Sequence, residues 1–238
     1  MSQMKNKEKK EKKPKQKKEK KIKIKVPLTP KQIAIIMAFI CLGSFLYKLT
    51  IGVMSLSMVL IIAAVPTLFV FICKFLYAKN MNQTDEQKLK SYLIMMIATA
   101  SFSALFIMFS IFKVGGIDIT HENTFTGWIG IVFIFFIIAM FVLSIINLKG
   151  ALNKDDLVVI GIKEISFVAA LADAVMINGF LYRVFLKYIP LPFYDYLNQF
   201  FPLGVGILMA IVPFIMLKRF LKYKKDTKNK ECNTEEQN

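Results

Sequence analysis

The stretch from Ile165 to Tyr182 limits the folds open to this chain more than any other. It is apolar and long enough to cross a bilayer, yet Asp173 lies near its middle. A carboxylate at that depth costs about 2.5–3.5 kcal/mol on insertion scales. The strongly apolar residues around it, among them Ile165, Phe167, Val168, Leu171 and Val175, each return about 0.3–0.6 kcal/mol, which only just offsets Asp173 and Asn178 together. Such a helix inserts best inside a bundle whose other members shield the acid. The expected class is therefore an all-α membrane protein.

The rest of the chain fits that class. Of its 238 residues, 55% are hydrophobic and 22 are Phe, outside the usual range of a soluble domain. The apolar runs predict six spans, at about 31–47, 51–77, 91–112, 128–148, 164–186 and 200–217, inside a transmembrane domain over 29–222. A polybasic tail precedes it at 1–28 and a short tail follows at 223–238. The first apolar run opens at Ile33 without a small-residue cleavage site, so the first span is expected to stay in the mature protein.

Local signals place the helix starts. Thr29-Pro30-Lys31-Gln32 and Thr84-Asp85-Glu86-Gln87 both read as capping boxes, and Asn153-Lys154-Asp155-Asp156 reads as a cap with an acidic first turn. Lys48-Leu49-Thr50 reads as a tight turn joining spans one and two. Pro66 predicts a kink in span two, Gly161 a hinge ahead of span five, and Tyr188 to Tyr196 an aromatic loop at the membrane interface. Ala34, Ala38 and Cys41 form a stripe of small residues that invites a neighbouring helix.

Charge sets the expected orientation. With the N-terminus inside, 28 of the 32 basic residues fall on the cytoplasmic side, leaving Lys48, Lys113, Arg183 and Lys187 outside. Both termini are thus expected in the cytoplasm of a bacterial cell, the protein lying in its plasma membrane. The net charge of +16 is concentrated in the first 31 residues, which hold fourteen Lys against three Glu. That tail has no apolar face to bury and is expected to be disordered. Lys17, Lys18, Lys20, Lys21, Lys23 and Lys25 are its candidate contacts to anionic lipid headgroups. The tail has no aromatic or Arg residue to stack on bases, which argues against nucleic acid as the partner.

Few constellations carry chemistry. Asp118, His121 and Glu122 share a loop, but the second histidine of a helical zinc site is missing, and neither a metal nor a cofactor is expected. Cys41, Cys73 and Cys232 have no ligand or disulfide spacing and read as small fillers. No nucleophile elbow or phosphate loop occurs, and the spans offer Asp173 no second carboxylate for an acid dyad, so an intramembrane enzyme is the least favoured class.

The candidate polar site is Asp173 with Asn178, Thr99 and Ser103. On one helix Ser166, Ala169, Ala170, Asp173 and Ile177 share a face, and Arg183, about 15 Å away along the axis, is too far to pair with the acid. The partner must come from another span, or the carboxyl keeps its proton because an apolar surrounding disfavours charge. Two roles compete, interhelical glue and a group that handles a proton or cation. In size and span number the chain is similar to the substrate-binding membrane subunits of vitamin importers and the six-span permease halves of exporters, a likeness of class rather than of motif. The expected function is a non-enzymatic component of membrane transport, alone or beside other membrane subunits or a cytoplasmic ATPase. The alternative is an assembly or regulatory protein whose tail engages a cytoplasmic partner or anionic lipid.

Overall fold

The computed structural model describes residues 29–54, 57–115, 128–151, 156–186 and 192–235. Among them the chain is almost entirely helical, in six elements: α1 (Pro30–Met54), α2 (Met58–Lys79), α3 (Asp85–Val114), α4 (Trp128–Ala151), α5 (Leu157–Leu186) and α6 (Pro192–Glu235). The lysines of the N-terminal tail and the loop with Asp118, His121 and Glu122 lie outside the described residues.

The caps explain where the helices begin. Thr29 Oγ1 accepts the Gln32 N–H at 3.3 Å, and Gln32 Oε1 accepts the Thr29 N–H at 2.8 Å. Thr84 and Gln87 make the same reciprocal box at α3. Asp156 caps α5 by accepting from the Val158 and Val159 amides at 3.0 and 3.3 Å.

Among the described residues four stretches are long and apolar enough to cross a membrane: Lys31–Met54, Leu60–Lys79, Asp85–Val114 and Tyr196–Thr227. Helix α4 contributes a shorter apolar stretch, Phe135–Ala151. Helix α5 is the polar exception, carrying Lys163, Glu164 and Asp173. The surface is inverted relative to that of a soluble protein. Phe39, Ile94, Phe135, Ile146 and Phe214 are exposed, whereas Lys48, Thr99, Ser103, Ser110, Glu164 and Asp173 are buried. An apolar exterior of that extent is stable against hydrocarbon and not against water. This is a membrane protein.

The first corner differs from the sequence reading. Lys48, Leu49 and Thr50 are not a turn; α1 runs on to Met54, and α2 begins at Met58 rather than near Ile51. The reason is on the buried stripe of α1. Lys48 lies seven residues beyond Cys41, two helical turns on, so it continues the face that Ala38 and Cys41 bury. The corner follows Gly52, where an added Cβ would come within 2.9 Å of Ile61 Cγ1. The absence of a side chain there lets the two helices approach closely as they reverse direction.

Gly161 is likewise no hinge, because α5 is continuous from Leu157 to Leu186. A Cβ at Gly161 would lie 2.9 Å from Met95 Cε and 2.9 Å from Tyr92 Cδ2, so this glycine lets α5 lie close against α3. Helix α6 takes in more than its expected span. It includes Pro192 to Tyr196, assigned from sequence to an interfacial loop, and continues through the expected tail to Glu235.

Two tight pairs, α1 with α2 and α3 with α6, flank a central helix. That helix is α5, packed on α2, α3, α4 and α6, while α4 touches α5 alone among the described residues. The core runs along α5 through Ile162, Ile165, Val168, Ala172 and Val175.

Candidate functional site

Asp173 takes its partner from α1. Lys48 Nζ lies 2.6 Å from Asp173 Oδ1, 2.8 Å from Oδ2 and 2.8 Å from Thr67 Oγ1 on α2, so all three ammonium donors are used. Thr67 passes the chain on by donating to the Ala63 carbonyl at 3.1 Å. Lys48 is 1% exposed and Asp173 8%, so the pair is desolvated. Among the described residues the backbones of α1 and α5 make no close approach, and the long lysine stem spans the gap beside α2. A buried pair of this kind gains strong, short, charge-assisted bonds and loses much of that gain to desolvation. Its net contribution to stability is small, but the loss of either partner alone is costly.

The other residues grouped with Asp173 from the sequence lie elsewhere. Thr99 and Ser103 donate to the Met95 and Thr99 carbonyls at 2.7 and 2.8 Å, and Ser110 does the same to Phe106 at 2.7 Å. Their hydroxyls are satisfied within α3. Asn178 bonds Asn198 of α6 at 3.4 Å. Among the described residues no hydrogen bond joins Asp173 to any of the other three.

A second buried carboxylate corrects the reading that the spans hold only one acid. Glu164 is 2% exposed; it pairs with Arg219 of α6 and accepts from the Tyr92 hydroxyl of α3 at 2.8 Å. It stands nine residues from Asp173, about 13 Å along α5 and half a turn around it. Facing opposite ways with separate cations, the two acids do not form a dyad. Tyr223 to Asp85 at 3.1 Å and Tyr77 to Asp156 at 3.2 Å add further polar ties between helices.

The Lys48–Asp173 pair borders a cavity of about 70 Å³ between α1, α2, α4 and α5. Ser166, Ala169, Ala170 and Asp173 line it from α5, four of the five residues placed on one face by helical spacing. Lys48 and Lys74 enter from α1 and α2, Lys163 from α5, and Ser144 and Asn147 from α4. Three ammonium groups against one carboxylate leave this space electropositive. Among the described residues α1 and α4 make no close backbone approach, so the cavity is a cleft with a gap between these two helices. A larger cavity of about 240 Å³ among α2, α3 and α6 is walled by residues such as Phe102, Phe106 and Met209 and offers no polar side chain to orient a ligand. The smaller one is the candidate site.

Comparison with models of protein families, with curated proteins and with solved structures finds no match to this chain. Among the described residues no group of His, Cys, Asp or Glu is placed to hold a metal ion. The functional reading rests on the geometry of the cleft.

Proposed function

We infer that the chain is a multi-pass plasma-membrane protein of six spans, with both termini cytoplasmic, and that it serves membrane transport as a non-enzymatic component handling a small solute in the cleft beside Lys48 and Asp173. The observation that carries this reading is a buried ion pair bordering a cleft among apolar helices, into whose mostly apolar lining Lys74, Lys163, Ser144 and Asn147 are also set. Intramembrane charges that line a cavity mark solute pathways more often than simple struts. Moving Lys48 from the outer loop into the bundle strengthens the charge asymmetry, since the outer side then keeps Lys113, Arg183 and Lys187. Partners in keeping with this role are anionic headgroups at the basic ends, other membrane subunits, or a cytoplasmic ATPase.

The alternative, a membrane assembly or regulatory protein, draws support from α6. The helix continues to Glu235 with Lys222, Lys224 and Lys225 exposed, a basic arm suited to headgroups or an acidic partner.

Two experiments test these readings. A reporter fused after Lys222 is expected in the cytoplasm and one inserted at Thr120 outside; a cytoplasmic signal at Thr120 overturns the six-span topology. For transport, Ser144→Cys in a background with Cys41, Cys73 and Cys232 changed to Ala is expected to react with a small water-soluble thiol reagent added at one membrane face. A cysteine that stays unmodified from both faces means a sealed site and turns the reading to the assembly role.

A further inference from the structure

We propose that the cleft is a binding site for a phosphate-type oxyanion, held by the Lys74 ammonium and the Ser144 hydroxyl; this rests on the transport reading of the same cleft and names the class of solute. Two independent observations on facing helices point to it. Lys74 is 9% exposed, and its ammonium donates to the Cys41 thiol at 3.1 Å. A thiol is a weak acceptor, and among the described residues no carboxylate lies within ion-pair distance of Lys74. A buried ammonium so poorly partnered would gain from an anion bound beside it.

Ser144 is the second observation. Thr67, Thr99, Ser103, Ser110 and Ser166 each donate to the carbonyl four residues back, the usual resting place of a helical hydroxyl in an apolar surrounding. Ser144 does not. It is 8% exposed, and its Oγ has no partner among the described residues, although it lines the same cleft as Lys74. A buried hydroxyl left unpaired costs free energy that a ligand oxygen would recover.

The donors suit the proposed class. No arginine fork is present to favour a planar carboxylate, while lysine ammoniums act as point charges compatible with a tetrahedral oxyanion. The volume of about 70 Å³ has room for one such group. The gap between α1 and α4 leaves two sources open, a free phosphate or the phosphate of a lipid headgroup.

The test uses the full-length protein in neutral detergent. Its melting temperature is followed against inorganic phosphate at constant ionic strength with chloride, and separately against phosphatidylglycerol with phosphatidylcholine as the control. Wild-type stabilisation by phosphate supports a free anion; stabilisation by phosphatidylglycerol alone supports a headgroup. In either case Ser144→Ala should raise the half-maximal concentration by about 10-fold, and Lys74→Met by about 100-fold. Lys90→Met on the exposed surface of α3 should leave it unchanged. Because Lys74→Met also removes a buried contact to Cys41, Ser144→Ala serves as the independent variant. No response of wild type to either additive, or an undiminished response in both variants, overturns the site. Reagent access to Ser144→Cys without any phosphate or headgroup effect on wild type retires the anion site and leaves transport standing. Stabilisation that depends on Lys74, with no reagent access, retires transport and keeps the site.

Discussion

Replacing Lys48 with Met should destabilise the detergent-solubilised protein by about 3–5 kcal/mol, because it strands the largely buried Asp173 carboxylate without its cation. Asp173→Leu should cost a similar amount by stranding the ammonium, with Thr67 left as its one neutral partner. Asp173→Asn should cost less, since an amide oxygen still accepts from Lys48. The combination Lys48→Met with Asp173→Leu is the informative variant. Replacing a buried pair by apolar side chains is often neutral or stabilising by about 1–4 kcal/mol, so the double variant should recover most of what either single change loses. Equilibrium or thermal unfolding of the four proteins closes the cycle. A double variant as unstable as the sum of the singles would mean that the two charges do not act on each other. A double variant that is stable but no longer supports transport would place the role of the pair in function rather than in holding the helices.

The second large effect concerns the N-terminal tail. A soluble fusion carrying residues 1–28 should bind vesicles rich in anionic lipid, and changing Lys17, Lys18, Lys20, Lys21, Lys23 and Lys25 to Gln should weaken that binding by at least about 100-fold at low ionic strength. Each lysine near such a surface contributes about 1 kcal/mol, and six acting together exceed that loss even after partial screening. Raising the salt to physiological strength shortens the screening length to about 8 Å and should erase much of the difference. Binding that ignores salt would point to an apolar contact, and a preference for RNA over vesicles would revive nucleic acid as the partner. Sedimentation with vesicles at two salt concentrations is sufficient.

Much of the helical frame was legible because its signals are local. The boxes at Thr29 and Thr84 lie within four residues of the groups they satisfy, and the structure shows each bond; at α5 the acidic segment was legible, but the structure makes Asp156 the cap rather than part of the first turn. The face of α5 that holds Ser166, Ala169, Ala170 and Asp173 follows from a period of 3.6 residues and nothing more. What escaped was pairing at long range. Lys48 and Asp173 are 125 residues apart, and Glu164 and Arg219 are 55 apart. No local pattern selects such partners. A lysine beside Leu49 and Thr50 resembles a loop residue until its register with Cys41 is counted, and that register was the available signal. Lys74 was read as a cytoplasmic charge for a related reason. It sits near the end of an apolar run, where lysines usually reach for water, whereas here its side chain turns into the cleft.

The two acids of α5 have a mechanical consequence. Asp173 keys this helix to the α1–α2 pair and Glu164 keys it to the α3–α6 pair, from opposite sides. Turning α5 by one residue, about 100°, or sliding it by one rise, about 1.5 Å, would break both keys together. The central helix is therefore a locked shaft, and its two keys tie it to both flanking pairs, five of the six described helices in all. Helix α4 has no such key; among the described residues it rests on α5 alone. Lipid tails are as apolar as the contacts that hold it, so lifting α4 away costs packing but no hydrophobic driving force. The wall of the cleft that bears Ser144 is thus its loose leaf, and the cleft would widen sideways, into the plane of the bilayer.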